Sequence, residues 1–553
     1  MKNKVFLFSL FIVVGFSNRK SESKPDKPPR PNILLIVADD LGFTDLGCFG
    51  GDIHTPNIDA LATSGLLFNR FHTSPICAPT RSMLLTGNNN HVAGMGCMFP
   101  VNGTPRQGQT GYERHLTDRV VTVAQLLKDG GYQTFMSGKW HLGTSIPFIP
   151  FAQGFEKSFA LAGGAANHFG NKPIFEKQPT QYLQDSTFVL FPENTFSTDL
   201  YTDKMISFIK GAELNKPFFG YLAYTAPHWP LQVPDEWLNR YKGKYDMGYD
   251  SLRMLRFQQQ KMKGIIPADA KLPPRLNSIK PWIELTATEK KIEARKMELY
   301  AAMVENLDQH IGQLIQFLKD SKQFDNTLIV FMSDNGAAGE DFYNDAENGP
   351  FLRKNYDNSY ENMGKANSFV SYGPQWAQAG AAPFKLFKEY PTEGGTNTPL
   401  IISGKGVKRM PGFQNAFINV MDLAPTFLEM AGLSYPATYH SHEIKPMLGQ
   451  SFYSYIKGES NAIHNENYVY GLEHYGGCLL IKGSWKITNT SDPFDESAFG
   501  LYNIDKDWGE TNDLSKSNPG KFKELMDEWE ILKKKTGIIP LGRGEKIHVD
   551  VAK

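Results

Sequence analysis

The chain has 553 residues, 41% hydrophobic and 21% charged, an ordinary globular composition with ample material for a large core. Lysine plus arginine and aspartate plus glutamate balance at 58 each, so no global field argues for nucleic acid or an anionic membrane as partner. The four cysteines, Cys48, Cys77, Cys97 and Cys478, are too few for a disulfide scaffold.

Lys2 and Lys4 precede an apolar run over residues 5–16 and a polar stretch, Ser17-Asn18-Arg19-Lys20. This reads as an export signal over residues 1–18 and implies a periplasmic or secreted protein. The run is too short to span a bilayer, and no later segment is long and apolar enough, so no stable membrane span is expected. No small-residue cleavage box is obvious near Gly15-Phe16-Ser17, which leaves uncleaved anchoring open. Residues 19–30, rich in proline and charge, read as a spacer.

From residue 31 onward, short apolar runs end in polar clusters, with helical patterns between them. Residues 32–38 form a buried strand by composition, ending at Asp39-Asp40. Residues 120–129 have helical spacing with Gly130-Gly131 as the stop. Residues 132–136 read as a strand running into Gly138-Lys139-Trp140-His141, and residues 218–224 as a third, running into Pro227-His228-Trp229-Pro230. Residues 235–288, rich in Lys, Arg, Met and Gln, suggest an inserted surface segment. Residues 294–319 follow as a long amphipathic helix, then residues 328–332 as a strand ending at Asp334-Asn335-Gly336. Residues 350–378 look loop-like.

These alternations predict an α/β fold with a large, mostly parallel sheet flanked by helices, over residues 31–435. Past that point the pattern changes. Residues 468–472, 478–481 and 485–488 resemble short antiparallel strands before a helix over residues 521–535, which suggests a smaller C-terminal α+β subdomain over residues 436–553. In open α/β sheets ligands bind at the carboxyl ends of the strands. Every conspicuous polar cluster lies at such an end, so one shared site is expected.

The residues that carry chemistry start with the run Cys77-Ala78-Pro79-Thr80-Arg81-Ser82-Met83-Leu84-Leu85-Thr86-Gly87. Pro79 suits the first turn of a helix, which puts Cys77 at an N-terminus where backbone N–H groups favour anions. Arg81 adds a permanent cation with planar donors suited to an oxyanion. Asp39, Asp40, Asp334 and Asn335 offer four oxygen donors with three negative charges, a set suited to Ca²⁺ or Mg²⁺ rather than zinc. Alone, Asp39-Asp40 would read as a cap or turn. For Cys48, Cys97 and Cys478, disulfide pairing stands beside the blander reading as buried hydrophobes.

The Cys-x-Pro-x-Arg run, continued through Leu85-Thr86-Gly87, resembles the core signature of the sulfatase family. Gly138-Lys139-Trp140-His141-Leu142-Gly143, Pro227-His228 and Lys388 before Glu393-Gly394-Gly395 match further family motifs in order. The likeness spans residues 31–433 and is strongest to the bacterial arylsulfatase branch, Thr86-Gly87 followed by His91 included. Thr80 departs from the more usual serine or alanine. The resemblance implies the alkaline phosphatase superfamily fold, and Cys77 oxidised to formylglycine by a separate maturase. It implies a divalent cation, usually calcium, held by Asp39, Asp40, Asp334 and Asn335 together with residue 77.

It further implies that Lys139 and His141 contact the formylglycine and the sulfate, that His228 is the leaving-group acid, and that Arg81 and Lys388 bind sulfuryl oxygens. The implied activity is hydrolysis of aryl sulfates or sulfated glycans. Alternatives are a phosphate or phosphonate ester hydrolase of the same superfamily, an enzyme using an unmodified Cys77 thiolate of lowered pKa, and a non-catalytic sulfated-glycan-binding protein.

Overall fold

Asn32–Ala38 (β1) is an unbroken apolar run in which every residue is buried, as a parallel strand covered on both faces requires. It lies in a ten-stranded sheet with Leu66–Phe68 (β2), Gln133–Lys139 (β3), Lys157–Leu161 (β4), Tyr182–Gln184 (β5), Thr187–Val189 (β6), Phe218–Ala223 (β7), Thr327–Ser333 (β8), Leu400–Gly404 (β9) and Phe413–Gln414 (β10). The order is β10-β2-β9-β8-β1-β7-β3-β4-β5-β6. Strands β8, β1, β7, β3 and β4 are mutually parallel, and β9 closes antiparallel on β8. In register, Val37 lies between Ala223 and Met332, so three strand ends are level.

The computed structural model describes Met1, residues 30–98 and residues 104–542. The export signal and spacer read over residues 1–30 lie outside the described residues, apart from Met1 and Arg30. The unit described below is Pro31–Lys553. Among the described residues, no helix is long and apolar enough to cross a membrane.

Alternation along β1 splits its side chains between two cores. Leu34 and Ile36 pack with helices Pro56–Ser64 (α1), Ser197–Lys210, Gly248–Met262 and Ala287–Asp320, through Leu61, Tyr201, Leu252 and Leu307. Ile33, Leu35 and Val37 face the other way, onto Cys77–Thr86 (α2), Val123–Asp129 (α3) and Leu423–Ala431, through Met83, Leu127 and Phe427. Helix α3 starts at a capping box, Thr122 with Gln125, and stops at Gly130 as expected.

The expected inserted surface segment is not wholly on the surface. Residues 235–288 contain Gly248–Met262 (α4), whose buried face carries Tyr249, Leu252, Arg253, Arg256, Phe257 and Gln260. That is a helical stripe, disguised because charged and amide side chains occupy core positions. Arg256 is accommodated there by Asp45 and Asp52 at 2.5 and 2.8 Å. The long helix Ala287–Asp320 (α5) begins ahead of the expected residue 294, at a Thr286–Glu289 capping box whose charged first turn hides the start. Residues 350–378 are likewise not simply a loop. They overlap helices Gly349–Asn355 and Gly373–Gly380, each opened by a proline in its first turn and too short to show a period.

Four antiparallel strands follow, Val469–His474 (β11), Gly477–Lys482 (β12), Trp485–Asn489 (β13) and Gly500–Asn503 (β14), backed by Pro519–Thr536 (α6). Strand β14, short and half polar, gave no alternation to detect. Leu480, Ile487 and Leu501 pack on Leu525 and Trp529 of α6. Tyr470, Leu472 and Ile481 face the core shared with α2 and α3. All four cysteines are free thiols; Cys97 and Cys478 are buried and Cys48 is partly so.

Candidate active site

Strands β8, β1, β7 and β3 are neighbours, and their carboxyl ends deliver the site. Asp39-Asp40 follow β1 and Asp334-Asn335 follow β8, stitched together by Asp334 N–H to Ala38 O at 3.2 Å and Asp40 N–H to Asp334 Oδ1 at 3.2 Å. Lys139 ends β3, and His141 follows two residues on. Gly138 lets β3 approach β7 closely: a Cβ there would lie 1.8 Å from Ala223 O, at φ +113°. Asp40 and His141 hold left-handed backbone, φ 64° and 61°, a strained conformation for such residues and typical of functional positions.

Cys77 is the first residue of α2, and all ten residues of that helix are buried. Its Sγ lies 3.3 Å from His141 Nδ1. One turn on, Arg81 donates from Nε and Nη2 to Asp334 Oδ2 at 2.9 and 2.7 Å, and from Nη1 to Lys139 O at 3.0 Å. Lys139 Nζ donates to both oxygens of Asp39, at 2.9 and 2.8 Å. Lys388 Nζ bridges Asp40 Oδ2 at 2.9 Å and Glu340 Oε1 at 2.7 Å. His228 points Nε2 at Asp40 Oδ2, 3.5 Å away, while its Nδ1–H donates to Trp229 O at 2.6 Å. Asp39, Asp40, Cys77, Arg81, Lys139, His141, His228, Asp334, Asn335 and Lys388 therefore meet in one cluster.

Burial sets the electrostatics, and neighbours modify it. Desolvation pushes the Asp39 carboxyl well up against the opposing pull of Lys139. Asp40 is held at about 2: desolvation opposes, but Lys388 and His228 prevail. Desolvation, reinforced by Lys139 and Arg81, keeps His141 well below the usual imidazole range. His228 is lowered in the same way, against the pull of Asp40. The Cys77 thiol is raised by burial despite Lys139 and Lys388. This overturns the expectation of a lowered thiol pKa on which the thiolate alternative relied.

The donor set fits a hard cation. Ligand atoms of Asp39, Cys77 and Asp334 lie within 4.8 Å of one another, as do those of Asp39, Asp40 and His228. Asn335 Nδ2 donates to Asp40 Oδ1 at 2.6 Å, while its Oδ1 is buried with no hydrogen-bond partner. A buried amide oxygen left unpaired beside three carboxylates is what an oxygen-preferring cation would satisfy.

Sequence reasoning missed three neighbours. Tyr221, on β7, sets its hydroxyl 3.4 Å from Arg81 Nη1. Glu340 meets Lys388, and Glu389 is a further buried carboxyl whose pKa is raised by burial and by Glu340. Tyr221 was hidden in an apolar strand. The two glutamates lie in loops, where only their nearness to Asp334 and Lys388 in the chain was a signal.

Comparison with known proteins follows the same outline. A profile of the sulfatase family matches residues 31–433. An uncharacterized sulfatase of Schizosaccharomyces pombe is 39% identical over 544 residues, covering 94% of this chain and 96% of its own. An arylsulfatase of Klebsiella aerogenes is 43% identical over 427 residues, 76% of this chain and 91% of its own. Among solved structures, Ps i-CgsB superposes with a TM-score of 0.63 at 26% identity, covering 94% of this chain and 95% of that one. The same protein in complex with k-i-k-neocarrahexaose gives 0.62 at 25%, with the same coverage. The architecture is the alkaline-phosphatase-like α/β fold. Because the profile runs from β1 through the last helix of the main sheet, and an arylsulfatase aligns over three quarters of the chain, the protein belongs to the sulfatase family and is a sulfuric ester hydrolase.

Proposed function

We propose that this enzyme removes sulfate from aryl sulfates or sulfated glycans, with a formylglycine made from Cys77 at the reacting centre. The position of Cys77 carries the reading: it opens a buried helix, 3.3 Å from His141 and beside Asp39 and Asp334. Its Sγ stands in for the oxygens of the modified residue. Hydrated formylglycine supplies a hydroxyl that attacks sulfur. Asp39, Asp40, Asp334 and Asn335, with residue 77, would hold Ca²⁺ or Mg²⁺, which supplies charge neutralisation at the sulfuryl oxygens.

The chain's own residues do the rest. Sulfate esters hydrolyse so slowly that the barrier reduction lies toward the upper end of about 8–23 kcal/mol. Arg81, Lys139 and Lys388 form a preorganised positive cradle for the sulfuryl oxygens, in a site dry enough to give those charges force. Asp334 accepts a proton from the group at position 77. His228 gives a proton from Nε2 to the leaving oxygen, and the bond from its Nδ1–H to Trp229 O fixes the ring for that task. The negative substrate favours the imidazolium that desolvation alone disfavours. His141, neutral and with Nδ1 facing residue 77, would take the proton of the second hydroxyl there, so that the carbon–oxygen bond to sulfate breaks as the aldehyde carbonyl re-forms, ready to be hydrated again by water.

The Klebsiella arylsulfatase supports the aryl ester, and the oligosaccharide complex of Ps i-CgsB supports a sulfated glycan. Segments 235–288 and 350–378 meet around a cavity of about 490 Å³ lined by Tyr249, Lys296, Asp341, Tyr343, Ser371 and Gln375. The reading also requires a formylglycine-generating maturase as partner. The signal-like residues 1–18 support export to the periplasm or exterior. Peptide mass spectrometry of active protein should find an aldehyde at position 77, with activity tracking its fraction, and Cys77→Ala should fold yet be inactive. A fully active preparation with an intact thiol would sink the mechanism. A panel of position-defined sulfated sugars beside a chromogenic aryl sulfate would then identify the substrate.

A further inference from the structure

Lys388 has two carboxylate partners, and one of them, Glu340, has no part in the chemistry above. Glu340 is 5% exposed; Oε1 accepts from Lys388 Nζ at 2.7 Å, and Oε2 is buried without a partner. A buried carboxylate is costly to desolvate, and a second anion on a lysine already paired with Asp40 is more than that lysine needs for support.

Charge counting shows what it does. The cradle holds three cations, Arg81, Lys139 and Lys388, against three carboxylates, Asp39, Asp40 and Asp334. Paired one to one, Arg81 with Asp334, Lys139 with Asp39 and Lys388 with Asp40, they leave Glu340 as a second carboxylate on Lys388. Whatever cation the aspartates hold, Glu340 lowers the positive charge offered to an incoming oxyanion by one unit.

We propose that Glu340 is a specificity-determining residue that tunes the site to monoanionic esters and against dianionic ones. The proposal rests on the reading of Lys388 as a ligand of the sulfuryl oxygens. A sulfate monoester carries one negative charge, whereas a phosphate monoester carries close to two at neutral pH. Repulsion from a fixed carboxylate scales with the charge of the ligand, so the dianion bears it twice. In a partly dry site, one extra unit of charge several ångströms away is worth about tenfold in affinity. The alternative role, simple orientation of Lys388, makes a different prediction, because it would affect both esters alike.

Glu340→Gln keeps the volume and an oxygen that can accept from Lys388 but removes the charge. Relative to wild type, its ratio of kcat/KM for an aryl sulfate over the matching aryl phosphate should fall about tenfold. Calorimetric titration at pH 8 with inorganic phosphate, a dianion there, should show binding about a hundredfold tighter, tenfold for each of its two charges. Glu340→Asp should keep the wild-type ratio. Glu340→Met serves if the glutamine variant fails to fold, since the ratio cancels any loss of orientation common to both esters. A ratio within twofold of wild type in the charge-removing variants, or equal losses on both esters with unchanged phosphate affinity, would overturn the proposal. Wild-type protein carrying the aldehyde yet inert toward every sulfate ester would instead overturn the functional reading beneath it.

Discussion

His228 commits Nδ1–H to Trp229 O, so only Nε2 can serve the leaving oxygen. A phenolate with electron-withdrawing groups needs little protonation, whereas a sugar alkoxide needs much. His228→Ala should therefore cost about 10²–10⁴-fold in kcat on a sulfated sugar and far less on an activated aryl sulfate. Parallel assays of the two substrates, with thermal melts to exclude a folding defect, check this; equal losses would remove His228 from the acid role. At this scale the sequence was unusually readable. Asp39, Asp334 and Lys139 fall at strand ends, where an α/β sheet gathers its polar groups, and periodicity locates strand ends. Glu340 and Tyr221 were unreadable because a loop glutamate and a strand tyrosine look ordinary until a partner from far along the chain arrives. The raised Cys77 thiol shows the same limit: a helix N-terminus and nearby lysines were visible in the sequence, but the full burial that outweighs them was not.

Between elements, one buried network ties the C-terminal sheet to the catalytic loops. Lys486 on β13 pairs with Glu393 at 2.8 Å and with Glu510 at 3.1 Å; Glu393 also meets His72 Nε2 at 2.9 Å, and its N–H donates to Glu510 Oε2 at 2.6 Å. Glu393 opens the turn after Lys388, and His72 lies just ahead of Cys77. The backbone reinforces the link, with Glu389 N–H donating to Pro75 O at 2.8 Å. Lys486→Met would leave two carboxylates buried without their shared cation. Unfolding in denaturant should show a loss of about 3–5 kcal/mol, the usual cost of breaking one side of a buried pair. Element identity was legible wherever an apolar run or stripe was unmixed, as in β1, β8 and α6. It failed in α4, where Arg253, Arg256 and Gln260 take core positions and Arg256 depends on Asp45 and Asp52, residues about 200 places earlier in the chain.

For the molecule as a whole, strand alternation predicted a parallel sheet, but the strand order and the antiparallel closure by β9 depend on tertiary packing that no local pattern encodes. Acid stability follows from groups joining distant parts. Glu473, at the end of β11, pairs with Arg106 at 2.9 Å and His91 at 3.1 Å. Desolvation opposes ionisation, but Arg106, His91 and the Gly476 N–H prevail and hold the carboxyl at about 2 against an ordinary 4.5. Its contribution is thus full above pH 4.5 and is lost as pH falls toward 2, an amount of up to about 3 kcal/mol. Glu473→Gln should flatten the acid limb of a stability–pH profile measured by urea unfolding; a limb of unchanged slope would count against this assignment. The burial of α2 has a consequence of another kind. Cys77 is 4% exposed, with a whole helix packed behind it. On the proposed formylglycine reading, an enzyme that modifies Cys77 would have to reach a thiol that the finished fold buries. Conversion would then be an event of synthesis, decided in the interval before the chain closes, and a molecule that folded too soon would keep its thiol and stay inert.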